Sequence, residues 1–430
     1  MILMMRKARI ILLTITLLVS TYMLKSQNTV TLPGLLKSME QWNQLYKVSS
    51  ATDSVYGLRK ANIKASYLPK VDFNAEAIWQ SDVTKVNIPL PGIATPMPDN
   101  DNYKLAVDLS QLIWDGGATK SMQQLEEENR RIDQNKVESE IYTQKERVAS
   151  LFFGILSIDL ANRQRNLMAC ELDKRIDELE AGVKAGVVLE SSVNTLKAER
   201  LRLAQSIDAN LAQRSGLVNS IYSLTGLRID DNAITVAPVL AIPEQSVCVR
   251  PDYQLFDLQM SYLTAVTGTL TSKRMPKLSA FARVGYGKPG LNMLSNEFDA
   301  FALVGARLSW NIWDWNSASR ERQNLKIQQN ILQYRREVYN EGCSAQVSSL
   351  LEQIQLLQRQ IQTDEKIVEL LDKSTQASAS QLKNGTLTSS VYLSDFNSLL
   401  RAKIEMDLRK VKLSQEVVKL YFALGLSFNE

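Results

Sequence analysis

The chain has 430 residues, 45% hydrophobic and 22% charged, with a formal net charge of +4 and no histidine. Lack of His removes the commonest acid–base group and transition-metal ligand, and Cys170, Cys248 and Cys343 are too far apart for a metal or redox motif. The positive charge is no nucleic-acid footprint: it belongs to residues 1–26, without which Lys+Arg falls from 50 to 46 and equals Asp+Glu.

Residues 1–26 read as a secretory signal, with Arg6, Lys7 and Arg9 ahead of an apolar run from Ile10 to Leu24 and then Lys25-Ser26-Gln27. The run is short of the roughly 20 apolar residues a spanning helix needs. An uncleaved inner-membrane anchor is the alternative. No Cys lies near the junction to carry a lipid. The cysteines read most simply as small buried hydrophobes, a Cys248–Cys343 bridge being the alternative in an oxidising compartment.

Residues 28–67 have helical spacing of Leu35, Met39, Trp42, Leu45, Leu58 and Ala65, and Tyr67-Leu68-Pro69 ends the helix because a residue before proline leaves the α region. The period then becomes two. Val71, Phe73, Ala75, Ala77 and Trp79 alternate with a second set that carries Asp72, Asn74 and Glu76, a two-faced strand over about 71–80. A Pro- and Gly-rich segment follows, then a second alternating strand over about 102–113 with Tyr103, Leu105, Val107 and Leu109 on one face and Asp108 on the other. From about 117 to 184 runs a helix almost free of Pro, with a heptad seam at Leu172, Ile176, Leu179 and Val183. At ~1.5 Å per residue it spans about 100 Å. A break near 184–190 contains Gly186, and a return helix runs from about 191 to 225.

The design then repeats. Val304 to Asp314 (VGARLSWNIWD) echoes Leu105 to Asp115 (LAVDLSQLIWD), so Trp114-Asp115 maps onto Trp313-Asp314 at an offset of 199. The same offset carries Gly186 onto Gly385 and Gly226 onto Gly425. Pro69 matches Pro276 at 207, which places eight extra residues in the first half. Such a duplication outranks every local pattern. The halves are 27–227 and 251–430, joined by a linker over 228–250. The second contains a helix over 252–274, strands over about 278–287 and 298–311, a long helix over 316–383 with seam residues Ile354, Leu357, Ile361, Val368 and Leu371, a break near 383–389, and a return helix over 390–425.

Five of six tryptophans, Trp79, Trp114, Trp310, Trp313 and Trp315, sit in or just beyond these strands. Aromatic residues at strand ends are how a membrane β-barrel marks its two interfaces. A soluble hairpin packed on helices is the alternative. Four amphipathic strands cannot close a barrel, since open edges are not tolerated in lipid and small barrels begin at about eight strands. If the apolar faces meet lipid, several chains share one barrel and the charged helices project from it as a tube. No glycine-rich phosphate loop, nucleophile elbow or metal-ligand cluster is present, so neither an enzyme nor a cofactor is expected.

In its order of motifs the mature chain resembles the TolC-like outer-membrane efflux proteins. The carriers are Leu68-Pro69 and Met275-Pro276 ahead of the strands, the Leu-Ser-x-x-Ile-Trp-Asp strand ends, Gly186 and Gly385, and the LTG and ALG endings of the halves. The resemblance implies a membrane β-barrel on a long α-helical coiled-coil barrel. It implies a homotrimer with four strands per chain and a 12-stranded barrel, in the outer membrane of a Gram-negative bacterium with a long periplasmic extension. It implies a channel-tunnel of a tripartite efflux or type I secretion system, docked to a periplasmic adaptor (membrane fusion) protein and an inner-membrane RND or ABC pump. Lipid-facing or girdle positions are then Trp79, Val107, Val304 and Trp310. Both breaks lie 72 residues beyond their tryptophans, so Gly186, Val187, Val188, Gly385, Thr386 and Leu387 are the expected adaptor contacts.

The chain departs from the family pattern just beyond the second glycine. The positions that match the family's constricting carboxylates are Val391 and Ser394, with Asp395 the nearest carboxylate, and a basic position is Leu387. A periplasmic gate at Leu387, Val391, Ser394 and Asp395, held by packing and hydrogen bonds more than by charge, is the expectation. These residues filling a helix–helix interface is the alternative reading. The competing function is a periplasmic coiled-coil scaffold anchored at the inner membrane, with the strands' apolar faces packed on helices.

Overall fold

The structure, a computed structural model, describes residues 29–84, 97–230, 233–244, 248–293 and 295–427; the signal read over 1–26 lies outside them. The first half runs β1 (Thr29–Thr31), α1 (Leu32–Trp42), α2 (Leu45–Ala65), β2 (Lys70–Trp79), β3 (Asp101–Trp114), α3 (Ala118–Lys184) and α4 (Glu190–Thr225). After β4 (Ile234–Val236) the second half runs α5 (Pro251–Lys273), β5 (Lys277–Lys288), β6 (Asp299–Ser309), α6 (Ser317–Lys383) and α7 (Ser389–Leu424).

The single helix read over 28–67 is in fact three elements. Thr31 caps α1 by accepting from the Gly34 amide at 3.3 Å, and Pro33 sits in the first turn, where its missing N–H costs nothing. The helix breaks at Asn43, whose side chain accepts from the Leu45 amide at 2.9 Å, a local bond that competes with the helical ladder. Leu35 and Met39 of the apolar spacing are buried on α1, whereas Leu58 on α2 is exposed.

The chain divides into two compact units, one of Met1–Tyr46, Ser139–Arg250 and Asn340–Glu430, the other of Lys47–Glu138 and Pro251–Tyr339. α3 and α6 each contribute to both. In the first unit β1 and β4 form a short parallel pair, and α1 buries Leu32, Leu35, Leu36 and Met39 against Phe152, Phe153 and Leu156 of α3, Ile221 of α4 and Val418 and Phe422 of α7. A second cluster joins Val347 and Ile354 of α6 to Leu420 and Leu424 of α7. A third, toward the helix breaks, draws on α3, α4, α6 and α7 together, with Leu172, Leu196, Leu382 and Phe396 among its members.

In the second unit the strands form one antiparallel sheet in the order β2-β3-β5-β6, so hairpin β2-β3 joins hairpin β5-β6 through β3 and β5. Pairing of Val107 with Phe73 and with Val284, and of Ala282 with Val304, keeps one face apolar across all four strands. β2 and β6 are its open edges.

Both strand-to-helix corners use the same backbone. Gly116 and Gly117 have φ of +68° and +85°, and at the repeat-equivalent positions Trp315 and Asn316 have φ of +52° and +61°. Glycine takes this conformation freely; Trp and Asn do so at a cost. A Cβ on Gly116 would stand 2.1 Å from the Met275 Cβ, so that corner packs against the start of β5 with no room for a side chain. Asp115 accepts from the amides of Gly117 at 2.9 Å and Thr119 at 2.6 Å, and Asp314 accepts from Ala318 at 3.2 Å. The duplicated Trp-Asp therefore places an aromatic residue at the strand end and an acceptor over the orphan amides of a 67-residue helix.

Candidate functional site

The sheet has two chemically distinct faces. Both Val107 (44% exposed) and Val304 (81%) stand on the apolar one, which among the described residues no helix covers. Trp79, also exposed, ends β2, and Trp310, just past β6, donates its indole N–H to the Arg274 carbonyl at 3.1 Å. Aromatic residues gather at both strand ends. Tyr103 and Tyr286 each stack on Phe298 at ring separations of 6.2 and 5.7 Å beside the loops, while Trp114, Trp313 and Trp315 lie at the helix end. From Tyr103 to Trp114 is eleven residues; at about 3.4 Å each and a tilt of about 40–45° they rise about 27 Å, close to the ~25 Å apolar band of a membrane barrel.

On the opposite face Arg283 binds Asp108 through two hydrogen bonds of 2.5 and 3.1 Å, and Asn74 donates to the same carboxylate at 2.7 Å. Phe301 lies over Gly285 and Phe281 over Gly305, each ring filling the space a Cβ would take. The Arg307 guanidinium sits 5.4 Å from the centre of the Phe281 ring.

At the far ends of α3 and α6 the two turns are built alike. The Gly186 and Val187 amides donate to the carbonyls of Val183 (2.9 Å) and Gly182 (3.0 Å), and the Gly385 and Thr386 amides donate to Leu382 (3.1 Å) and Gln381 (3.0 Å). This is a Schellman closure, with glycine at φ of +72° and +71°. Of the expected contact residues Gly186, Val187, Gly385 and Thr386 are exposed, Val187 by 75%, whereas Val188 and Leu387 are half-buried and pack onto the cluster at these helix ends. Leu189, 74% exposed beside Val187, is absent from the sequence-based set. Its position just ahead of the first residue of α4 was a usable clue.

The four expected gate residues do not form one helical stripe. α7 begins at Ser389, so Leu387 lies in the turn and points into the cluster. Val391 (48% exposed) and Ser394 are open on α7. Asp395 is half-buried and already partnered: its carboxylate accepts from the Ser378 hydroxyl and its carbonyl from Thr375 at 3.3 Å. Ser378 and Thr375, one turn apart on α6, were missed because a seam residue's cross-helix partner has no local pattern. Next to them Tyr392 is 1% exposed, and burial raises its hydroxyl above the ordinary phenol range. Arg175 of α3 donates to Glu178 at 2.7 Å and Glu171 at 2.9 Å.

Among the described residues no helix is long and apolar enough to cross a membrane. No family model matches the chain, and no curated protein matches its sequence. Solved structures do. The outer-membrane channel OprN superposes with a TM-score of 0.69 at 17% identity, covering 92% of this chain and 90% of that one. CusC, studied for transmembrane channel formation, superposes at 0.71 with 14% identity, covering 92% of each. VceC, an outer membrane protein of Vibrio cholerae, superposes at 0.67 with 14% identity, covering 93% of this chain and 97% of that one. From the helix breaks to the four-stranded sheet, this chain has the fold of the outer-membrane channels.

Proposed function

We propose that the chain is the outer-membrane channel-tunnel of a tripartite efflux or type I secretion system, working as a homotrimer whose twelve strands close one barrel. The observation that carries the reading is the sheet: four strands with an uncovered apolar face and two open edges. In a bilayer every strand edge must be paired. Four antiparallel strands leave β2 and β6 running in opposite directions, so copies join edge to edge without breaking the antiparallel pattern. The helices support self-association as well. On α6, Ile327, Ile331, Tyr334 and Val338 follow heptad spacing and are 43–67% exposed, an apolar seam left open among the described residues. A scaffold with strands folded onto helices would instead have Val107 and Val304 covered.

In this reading 1–26 is removed on export, the repeats 27–227 and 251–430 and the linker 228–250 build the body, and the polar face with Asp108 and Arg283 lines the pore. The helix breaks meet a periplasmic adaptor fed by an inner-membrane RND or ABC pump, and Leu387, Val391, Ser394 and Asp395 narrow the closed end. Outer-membrane lipid is the other partner. Nucleic acid has no part in it.

Fractionation of the cell envelope tests the proposal. The expected result is recovery with the outer membrane and a band on gels that falls from trimer to monomer only on boiling. Recovery as a soluble or inner-membrane protein with no heat-sensitive band would favour the scaffold.

A further inference from the structure

Cys248 and Cys343, 95 positions apart in sequence, converge on one carbonyl. Both thiols donate to the backbone oxygen of Ala423, from 3.7 Å (Cys248) and 3.5 Å (Cys343). Each is held there by its surroundings. The Val249 amide donates to the Leu424 carbonyl at 2.9 Å, and Gly425 has no side chain because one would collide with the backbone of Val249 and Arg250. Cys343 is on α6, packed against the same end of α7. Cys170, the third cysteine, is exposed and belongs to neither contact.

We propose that Cys248 and Cys343 form a disulfide in the mature protein. The proposal rests on the export reading above, since a bridge persists only in an oxidising compartment. One thiolate attacks a disulfide donor of that compartment, forming a mixed disulfide and releasing one donor thiol. The second thiolate attacks the newly bonded cysteine sulfur and expels the other donor thiol. Two electrons and two protons leave the pair, and the donor disulfide becomes two thiols. Burial, together with the Cys248 thiol, pushes the Cys343 thiol up to about 11. The exchange therefore takes place as the chain folds, while both thiols are still in water.

The location gives the bridge a purpose. Residues Pro251–Tyr339 leave the first unit and return to it, and Cys248 and Cys343 stand just outside the two points of departure and return. The disulfide ties these crossings together. The repeat-equivalent of Cys343 in the first half is Gln144, where Lys145 instead meets Glu40 at 3.1 Å. Only the second half is stapled covalently.

Envelope fractions from cells expressing the full chain would be acid-quenched, denatured and treated with a polyethylene-glycol maleimide, with and without prior reduction. One adduct is expected without reduction and three with it; Cys170→Ser should show none without reduction, and Cys248→Ser two. Three adducts without reduction in outer-membrane protein would overturn the bridge and leave the channel reading intact. Three adducts in protein recovered outside the envelope would instead count against export. In that case the same count after refolding with oxidised glutathione decides the bridge: one adduct supports it and three overturn it.

Discussion

Tyr67, past the end of α2, donates its hydroxyl to Asp115 at the head of α3 across 2.7 Å, and the carboxylate it reaches is only 2% exposed. The same aspartate takes the amides of Gly117 and Thr119, so one side chain joins the chain's path into the sheet to its path out. Burial alone would raise the Asp115 pKa; the bonds from Thr119, Tyr67 and Gly117 outweigh it and bring the carboxyl to about 2.

A folded-state pKa lowered from the ordinary 3.8 to about 2 contributes stability that is complete above about pH 4 and is lost as pH falls toward 2. It is on the order of 2 kcal/mol at neutral pH. Thermal unfolding of the purified protein should show this component between pH 4 and 2. Asp115→Asn should be less stable at neutral pH and lack that component; an unchanged acid profile would place the stabilisation elsewhere.

Arginine at Val107 or Val304 should cost roughly 2–4 kcal/mol near mid-bilayer and reduce the heat-sensitive oligomer. Asp108→Asn, which keeps the shape of the Arg283 partner, and Arg307→Gln should assemble normally. Gel shift with and without boiling reads both. Normal assembly of Val107→Arg would mean that this face does not meet lipid.

Cysteines at Val187, Leu189 and Thr386, in a Cys170→Ser background, should cross-link to an adaptor in intact cells. Val188 and Leu387 should react more weakly, because their side chains turn into the cluster beneath the turns. Links confined to the loop ends of the hairpins would reverse the orientation.

Asp395→Asn should change closed-state conductance and cation preference only modestly, since the carboxylate is already engaged by Ser378. Leu387→Ser with Val391→Ser should raise that conductance by loosening the packing at the turn. Single-channel recording separates the two; a large gain from Asp395→Asn alone would make the constriction electrostatic.

Replacing Asn316 by glycine should stabilise the second corner by up to about 1 kcal/mol, because a residue at φ of +61° carries a cost that glycine does not. Gly116→Ala should destabilise by more than that, having both a positive φ and the Met275 side chain in its way. Urea midpoints at constant slope measure each change.

The strands, the long helices and their duplication were legible in the sequence because each is written in a local period. Val71 to Trp79 alternates by two, Leu172 to Val183 recurs by three and four, and glycine marks a left-handed turn at 186 and 385. The Trp-Asp pair was visible too, and so was its place at the strand end, although the aspartate's work as helix cap was not. Tertiary structure alone decided the rest. It joined β3 to β5, turned Leu387 inward and Val187 outward within matching turns, and set Ser378 against Asp395. It gave Trp315-Asn316 the backbone of Gly116-Gly117, and it brought Cys248 to Cys343. The physical reason is common to all five: periodicity records which side of an element avoids water, whereas partner, register and backbone strain depend on residues far away in sequence, whose identity leaves no mark on the local pattern.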